Sequence, residues 1–231
     1  MDPVRQLKDD LQLAATTFVV IDFEGTTPAG CRPEPIDVAA IQLRLVGINW
    51  AEVGRFSALM RPPPYAPVTP FDTAQTGITP AMVANAPGAE RVLAELDTHV
   101  VDGSPYLLVA HNAHTEAGII HDYGESCPRL AHTDLLDTVR LARAVYPNLT
   151  SHTLDTLIDH LEIAPLSGRH RALPDVAVTA AVFCRILAQA DRDRLWSTLH
   201  EVWTVGGIKA KANRPQQDSL FDVEGHRVGR E

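Results

Sequence analysis

Apolar residues along this chain gather in dense blocks separated by polar, proline-rich stretches. The first block, Phe18-Val-Val-Ile-Asp-Phe-Glu24, is rich in β-branched and aromatic residues and predicts a buried strand. Gly25-Thr-Thr-Pro28 breaks it. Ile36–Val46 alternates apolar and polar positions, imperfectly, and Ala51–Leu59 follows; both read as strands. The short connections favour antiparallel neighbours. Pro62, Pro63, Pro64, Pro67 and Pro70 then make Arg61–Phe71 an extended surface segment. Thr79-Pro80 reads as an N-cap followed by the first helical position. Val92, Leu93, Leu96 and Val100 put one apolar face on a helix over Ala89–Val101.

Tyr106–Ala110 reads as a short buried strand, His114–Tyr123 as a helix after it, and His132–Leu136 as a further strand. Helices are predicted at Thr138–Tyr146, Thr153–Leu161 and Asp175–Ala190. Strands come first and then alternate with helices. That order predicts an α/β fold: a mixed sheet in which three antiparallel strands are continued by parallel ones, flanked by helices. Beyond Ala190 the pattern weakens, with one more helix expected at Arg194–Val202 and a flexible tail over Lys209–Glu231. The organisation expected is a domain over residues 1–190, a helical extension over 191–208 and the tail over 209–231.

The 231 residues, 45% of them apolar, suit one sizeable globular domain. No run of eighteen or more apolar residues occurs, so no membrane span is expected, and MDPVRQLKDD lacks the hydrophobic segment of a secretory signal. Cys31, Cys127 and Cys184 are widely spaced and are read as buried small hydrophobes in a reducing cytoplasm. The net charge of -9 argues against a protein that coats duplex nucleic acid through a broad basic face. It leaves room for one that grips a few nucleotides at a strand end, with acids gathered in a metal site.

Asp22 and Glu24 are two apart, so in a strand they emerge on one face. Such a pair is either a strand end reaching solvent or a site for hard divalent cations. His111-Asn112-Ala113-His114-Thr115-Glu116 follows a predicted buried strand, where open α/β sheets place ligands. Glu116 there is equally suited to favouring a helix N-terminus. His170 precedes Asp175 by five positions; Asp175 reads as a helix-start acid or a ligand, and His170 as a loop histidine or a base that titrates near neutrality.

Taken in order, these segments resemble the DEDDh exonucleases, in the proofreading-subunit (DnaQ-like) branch. The resemblance runs from about Thr17 to Ala190. Phe18–Thr26, Ala110–Ile119 and His170–Asp175 are similar to its three motifs, and Thr76-Gly-Ile-Thr-Pro80 and Asp137–Arg143 to its connecting segments. It implies a ribonuclease H-like fold and a 3′→5′ exonuclease acting on single-stranded nucleic acid, DNA favoured, in replication proofreading or DNA repair. It further implies two divalent cations, Mg²⁺ or Mn²⁺, held by Asp22, Glu24, Glu116 and Asp175, with His170 taking the proton of the attacking water. Phe23, Gly25, Thr26, Thr76, Gly77, Ile78, His111 and Asn112 are the expected substrate-binding residues. The chain departs from the family at Glu116, where an aspartate is usual; the extra methylene adds roughly 1.5 Å of reach. Thr115 stands where an aromatic is usual. An RNA-trimming enzyme of the same superfamily, or a weakened adaptor, are the alternative expectations. In the tail, Gln217, Leu220 and Phe221 resemble a peptide that docks on the bacterial sliding clamp, which makes the clamp and a DNA polymerase expected partners.

Overall fold

The computed structural model describes residues 6–28, 30, 32–100, 105–164 and 170–213. Along the chain run α1 (Leu11–Ala15), β1 (Thr17–Gly25), β2 (Pro35–Val46), β3 (Asn49–Leu59), α2 (Pro70–Thr76), α3 (Pro80–Val83) and α4 (Ala89–Asp97). Then come β4 (Tyr106–Ala110), α5 (His114–Asp122), α6 (Pro128–His132), β5 (Leu135–Asp137), α7 (Thr138–Val145) and α8 (Leu154–His160). The last are α9 (Ala172–Asp193), α10 (Leu199–Gly206) and β6 (Gly207–Ile208). The strands form one sheet in the order β3-β2-β1-β4-β5-β6. β3, β2 and β1 are antiparallel neighbours, β1, β4 and β5 run parallel, and β6 returns antiparallel on β5. This is the mixed sheet expected from the element order.

Both faces of the sheet are covered, which explains why β1 is apolar at nearly every position. Phe18 and Val20 point to one face, with Phe183, Val176 and Ile186 of α9. Val19, Ile21 and Phe23 point to the other, with Leu93 and Leu96 of α4 and Ile120 of α5. Phe18, Trp50 and Phe183 pack ring on ring, with centroids 5.2 to 5.8 Å apart. By length and composition α9 is apolar enough to cross a bilayer. Here its apolar side is spent on β1 and β2, and burying each such large side chain contributes about 1.5–3 kcal/mol.

The alternation expected in β2 is absent over its first seven residues, all buried, because both its faces are covered there. The segment Arg61–Phe71 is not wholly extended or exposed: Ala66 and Val68 are buried, and α2 begins at Pro70 with Thr69 as N-cap. α4 ends at Asp97, but tight turns continue from Glu95, Leu96 and Asp97 to Thr98, His99 and Val100, which keeps Val100 buried. The strand placed at His132–Leu136 is Leu135–Asp137, since His132 closes α6. α9 starts earlier than Asp175, at Ala172, because Pro174 is tolerated in a helix's first turn, where its missing N–H has no partner to lose.

α9 continues through residue 190 to Asp193, where Arg194 at φ 56° caps it. The helix expected at Arg194–Val202 lies at Leu199–Gly206 instead, set by a capping box between Thr198 and Glu201. The segment after α9 belongs to the same body: Leu199 and Val202 join the core, and β6 lengthens the sheet. The part of the expected tail that is described, Lys209–Asn213, is anchored by Ala210 N–H donating to Asp134 (2.9 Å) and Asn213 Nδ2 donating to the His132 carbonyl (2.8 Å).

Candidate functional site

Asp22 and Glu24 continue the Phe18–Val20 face of β1, the face that α9 covers. Asp175 lies in the first turn of α9 and so meets them. Asp22, Glu24 and Asp175 each offer a carboxylate oxygen, all within 4.8 Å of one another. Glu116 comes from α5, which starts just after β4, the parallel neighbour of β1. It is 4% exposed, and among the described residues its Oε2 has no hydrogen-bond partner.

This crowding shows in the acidities. Burial, then the charges of Glu116, Glu24, Asp175 and Asp37, push the Asp22 carboxyl well above the usual range. Glu116 is pushed up to about 8, by burial first, its own backbone N–H opposing, and then by the charges of Asp137 and Glu24. The neighbouring charges acting most strongly on Asp22 are thus all negative. Hard oxygen donors, partly buried, close enough to share a centre and repelling one another, are a donor set that divalent cations would satisfy. Asp22, Glu24 and Asp175 therefore fit the metal site that the sequence suggested; Glu116 lies outside that 4.8 Å group and acts on it through its charge on Asp22.

His170 is exposed beside this cluster and is held in the left-handed region at φ 67°. Its backbone N–H donates to Asp175 Oδ2 at 3.2 Å, so His170 and Asp175 are tied together. The next residue, Arg171, donates from Nε to Asp37 Oδ2 at 2.8 Å, and Ala172 N–H reaches the same oxygen at 3.4 Å. Asp37 lies on β2 directly opposite Glu24 and is 2% exposed. It anchors the start of α9, and with it His170 and Asp175, to the sheet.

The other expected site residues fall into two groups. Phe23, Thr26, Thr76 and Ile78 are buried, Phe23 in the core against α4 and α5 and Ile78 with Ile36, Val68 and Val83. Thr26 exchanges hydrogen bonds with Glu34, donating N–H to its carbonyl (2.9 Å) and accepting its N–H on Oγ1 (3.3 Å). Gly25 sits at a register shift where a Cβ would come within 3.3 Å of the Glu34 carbonyl oxygen, so a side chain there would need the neighbouring backbone to give by a few tenths of an ångström. Gly77, at φ 70°, is the exposed left-handed cap of α2. His111 and Asn112 line a cleft of about 770 Å³ together with Arg143, Ser151, His152 and Thr153. His111 Nδ1 lies 2.9 Å from Thr138 Oγ1, and Asn112 N–H donates to Asp137 Oδ1 at 3.1 Å. The tail residues Gln217, Leu220 and Phe221 lie outside the described residues.

Asp37, Asp72 and Asp137 were not singled out from sequence; Asp37 holds the start of α9 against the strand beside Glu24, and Asp137 holds the turn before α5 and raises Glu116. Asp72 carried a readable signal, the Thr-x-x-Asp spacing of a capping box from Thr69. Asp37 showed only as a polar position in a strand, and its partner Arg171 is 134 positions away.

A family model described as Exonuclease (RNase T) matches residues 19–183. A protein of Aquifex aeolicus named DNA polymerase III subunit epsilon is 33% identical over 186 residues, covering 80% of this chain and 87% of its own. The DNA polymerase III PolC-type of Caldanaerobacter subterraneus subsp. tengcongensis is 32% identical over 170 residues, 74% of this chain but only 11% of that much longer protein. Among solved structures, the nuclease domain of 3′hExo, a DEDDh family member bound to rAMP, matches with a TM-score of 0.65 over 76% of this chain and 93% of that one. At 18% identity that likeness is one of fold.

Proposed function

This chain belongs to the RNase T exonuclease family as a DnaQ-like 3′→5′ exonuclease of the DEDDh type, and we propose that its substrate is the 3′ end of single-stranded DNA, trimmed to nucleoside 5′-monophosphates in replication proofreading or DNA repair. The convergence of Asp22, Glu24 and Asp175 within 4.8 Å, with buried Glu116 pressing its charge on Asp22, carries this reading. Similarity to an epsilon subunit over most of both chains supports DNA as the substrate and a polymerase as the partner.

Asp22, Glu24 and Asp175 would hold one divalent cation, and Asp22 with Glu116 a second. Mg²⁺ or Mn²⁺ bound there would supply the positive charge that phosphodiester hydrolysis needs and lower the pKa of the attacking water. His170, exposed beside Asp175, would take that water's proton on its imidazole. The segments Gly25–Thr26 and Thr76–Ile78 would seat the terminal nucleotide, and His111 and Asn112 would meet the strand that leads to it. Gln217, Leu220 and Phe221 would tether the enzyme to the sliding clamp, raising its effective concentration at the strand end.

The test is a gel assay with a 5′-labelled single-stranded DNA oligonucleotide and its RNA counterpart, in Mg²⁺ or Mn²⁺, with Asp22→Ala as control. The expected result is a ladder shortening from the 3′ end of the DNA, lost in the variant. Preferential shortening of RNA would move the substrate to RNA. A ladder equally strong with Asp22→Ala would remove these carboxylates from the chemistry.

A further inference from the structure

Asp72 is a carboxylate outside the acidic cluster that is enclosed more completely than its helix requires. It is 1% exposed and is the third residue of α2. Its Oδ2 accepts from Thr69 N–H (2.8 Å) and Thr69 Oγ1 (2.7 Å), which closes the capping box. A capping box asks for nothing more. Its Oδ1 nevertheless accepts from Thr27 N–H (3.0 Å) and Thr27 Oγ1 (2.6 Å), from a segment 45 positions earlier. Burial alone would raise the Asp72 pKa; the hydrogen bonds from Thr27 and Thr69 outweigh it and keep the group ionised.

Thr27 stands three residues after Glu24, on the chain leaving the acidic cluster, and is exposed. On the other side, the Asp72 carbonyl accepts from Thr76 Oγ1 (2.8 Å). Thr76 Oγ1 in turn accepts Ile78 N–H (3.1 Å), and Thr73 Oγ1 donates to the Ile78 carbonyl (2.7 Å). One residue therefore links the chain that leaves Glu24 to the turn that exposes Gly77.

We infer that Asp72 is a positioning residue that holds in fixed relation the two segments, Thr26–Thr27 and Thr76–Ile78, that the exonuclease reading assigns to the terminal nucleotide. This rests on the exonuclease reading above. Asp72 touches neither the scissile bond nor the acidic cluster, so its contribution falls on seating the nucleotide rather than on the chemical step.

Two variants separate this role from helix capping. Thr27→Val removes the Oγ1 donor to Asp72, keeps the Thr27 backbone N–H bond and leaves the capping box whole. Thr69→Val weakens the box and leaves the Thr27 contacts whole. Steady-state hydrolysis of single-stranded DNA and thermal melting are measured for both, and for Asp72→Ala. Asp72→Ala and Thr27→Val are expected to raise KM about tenfold, the effect of losing roughly 1.4 kcal/mol, with kcat within about threefold of wild type. Thr69→Val is expected to lower the melting temperature but leave KM within about twofold. An unmoved KM in Thr27→Val, or an equal rise in Thr69→Val, overturns the inference while the exonuclease reading stands. A wild type that leaves DNA intact overturns both.

Discussion

Arg171→Ala isolates the contact that fixes the third motif to the sheet. The Asp37 side chain is 3% exposed and that of Arg171 33%, and they meet at 2.8 Å. Stripping one partner from a buried pair costs about 3–5 kcal/mol. Here the exposed third of Arg171 and the remaining Ala172 N–H bond lower the expected loss to about 2–3 kcal/mol. For a domain of this size each kcal/mol shifts melting by about 2–4 °C, so a fall of roughly 5–10 °C is expected at pH 7. The loss should depend on pH. Burial already holds the Asp37 carboxyl above its usual range even with Arg171 opposing, and removing Arg171 raises it further. A folded pKa above the unfolded one means that the native state binds more protons. The penalty is then absent below the ordinary carboxylate pKa of about 3.9 and complete above the raised one. The deficit of Arg171→Ala against wild type should therefore be smaller at pH 5 than at pH 7. Urea unfolding at both pH values measures it, and adding Asp37→Asn in the same background should recover part of the loss at pH 7. A deficit equal at the two pH values, or below about 0.5 kcal/mol, would refute the pairing as described.

Glu116→Gln removes an acid that burial pushes up to about 8, so at pH 9, where the wild-type group is ionised beside Asp22, the metal-free protein should melt about 2–4 °C higher, for roughly 1 kcal/mol, while its added stabilisation by Mn²⁺ shrinks; an undiminished Mn²⁺ shift would take Glu116 out of the ligand set. The Cys127 and Cys184 thiols, each pushed up to about 12 by burial, remain protonated at pH 8. In a Cys31→Ser background a thiol reagent should therefore label neither until denaturant is added, and prompt labelling of either would contradict the packing. Deleting residues 217–221 should abolish capture by the sliding clamp and leave turnover on short oligonucleotides unchanged; undiminished capture would dismiss the tether.

The sheet was legible because its signal is local. β1 is apolar on both faces, and the short links between β1, β2 and β3 leave little choice but antiparallel pairing. The acidic pair was legible for the same reason, since Asp22 and Glu24 two apart in a strand must share a face. That α9 brings Asp175 to that face is a long-range fact, which the sequence showed only through resemblance of motifs. The supporting contacts were invisible for the same physical cause. Asp37 meets Arg171 across 134 positions and Asp72 meets Thr27 across 45, and no periodicity encodes such pairs. Leu199–Gly206 was misplaced because its boundary is set by the Thr198–Glu201 box and by the left-handed cap at Arg194, rather than by hydrophobic rhythm.

The enclosed acids sort themselves by what faces them. Asp37 has Arg171 and Ala172 N–H. Asp72 has Thr27 and Thr69. Asp97 accepts Leu130 N–H at 2.8 Å and Arg129 N–H at 3.3 Å, fastening α6. Asp137 accepts Asn112 N–H and Val139 N–H on one oxygen, joining the turn before α5 to the start of α7. Each ties together segments distant in sequence, and donors offset the cost of its burial. Asp22 and Glu116 are surrounded differently, with other carboxylates as the neighbouring charges that weigh on them. A fold that supplies donors to four other buried acids could have neutralised these as well. Leaving them mutually repelling costs stability, and a cation is the partner whose arrival would reverse that cost, so the same crowding that strains the metal-free protein is what would draw metal to this point.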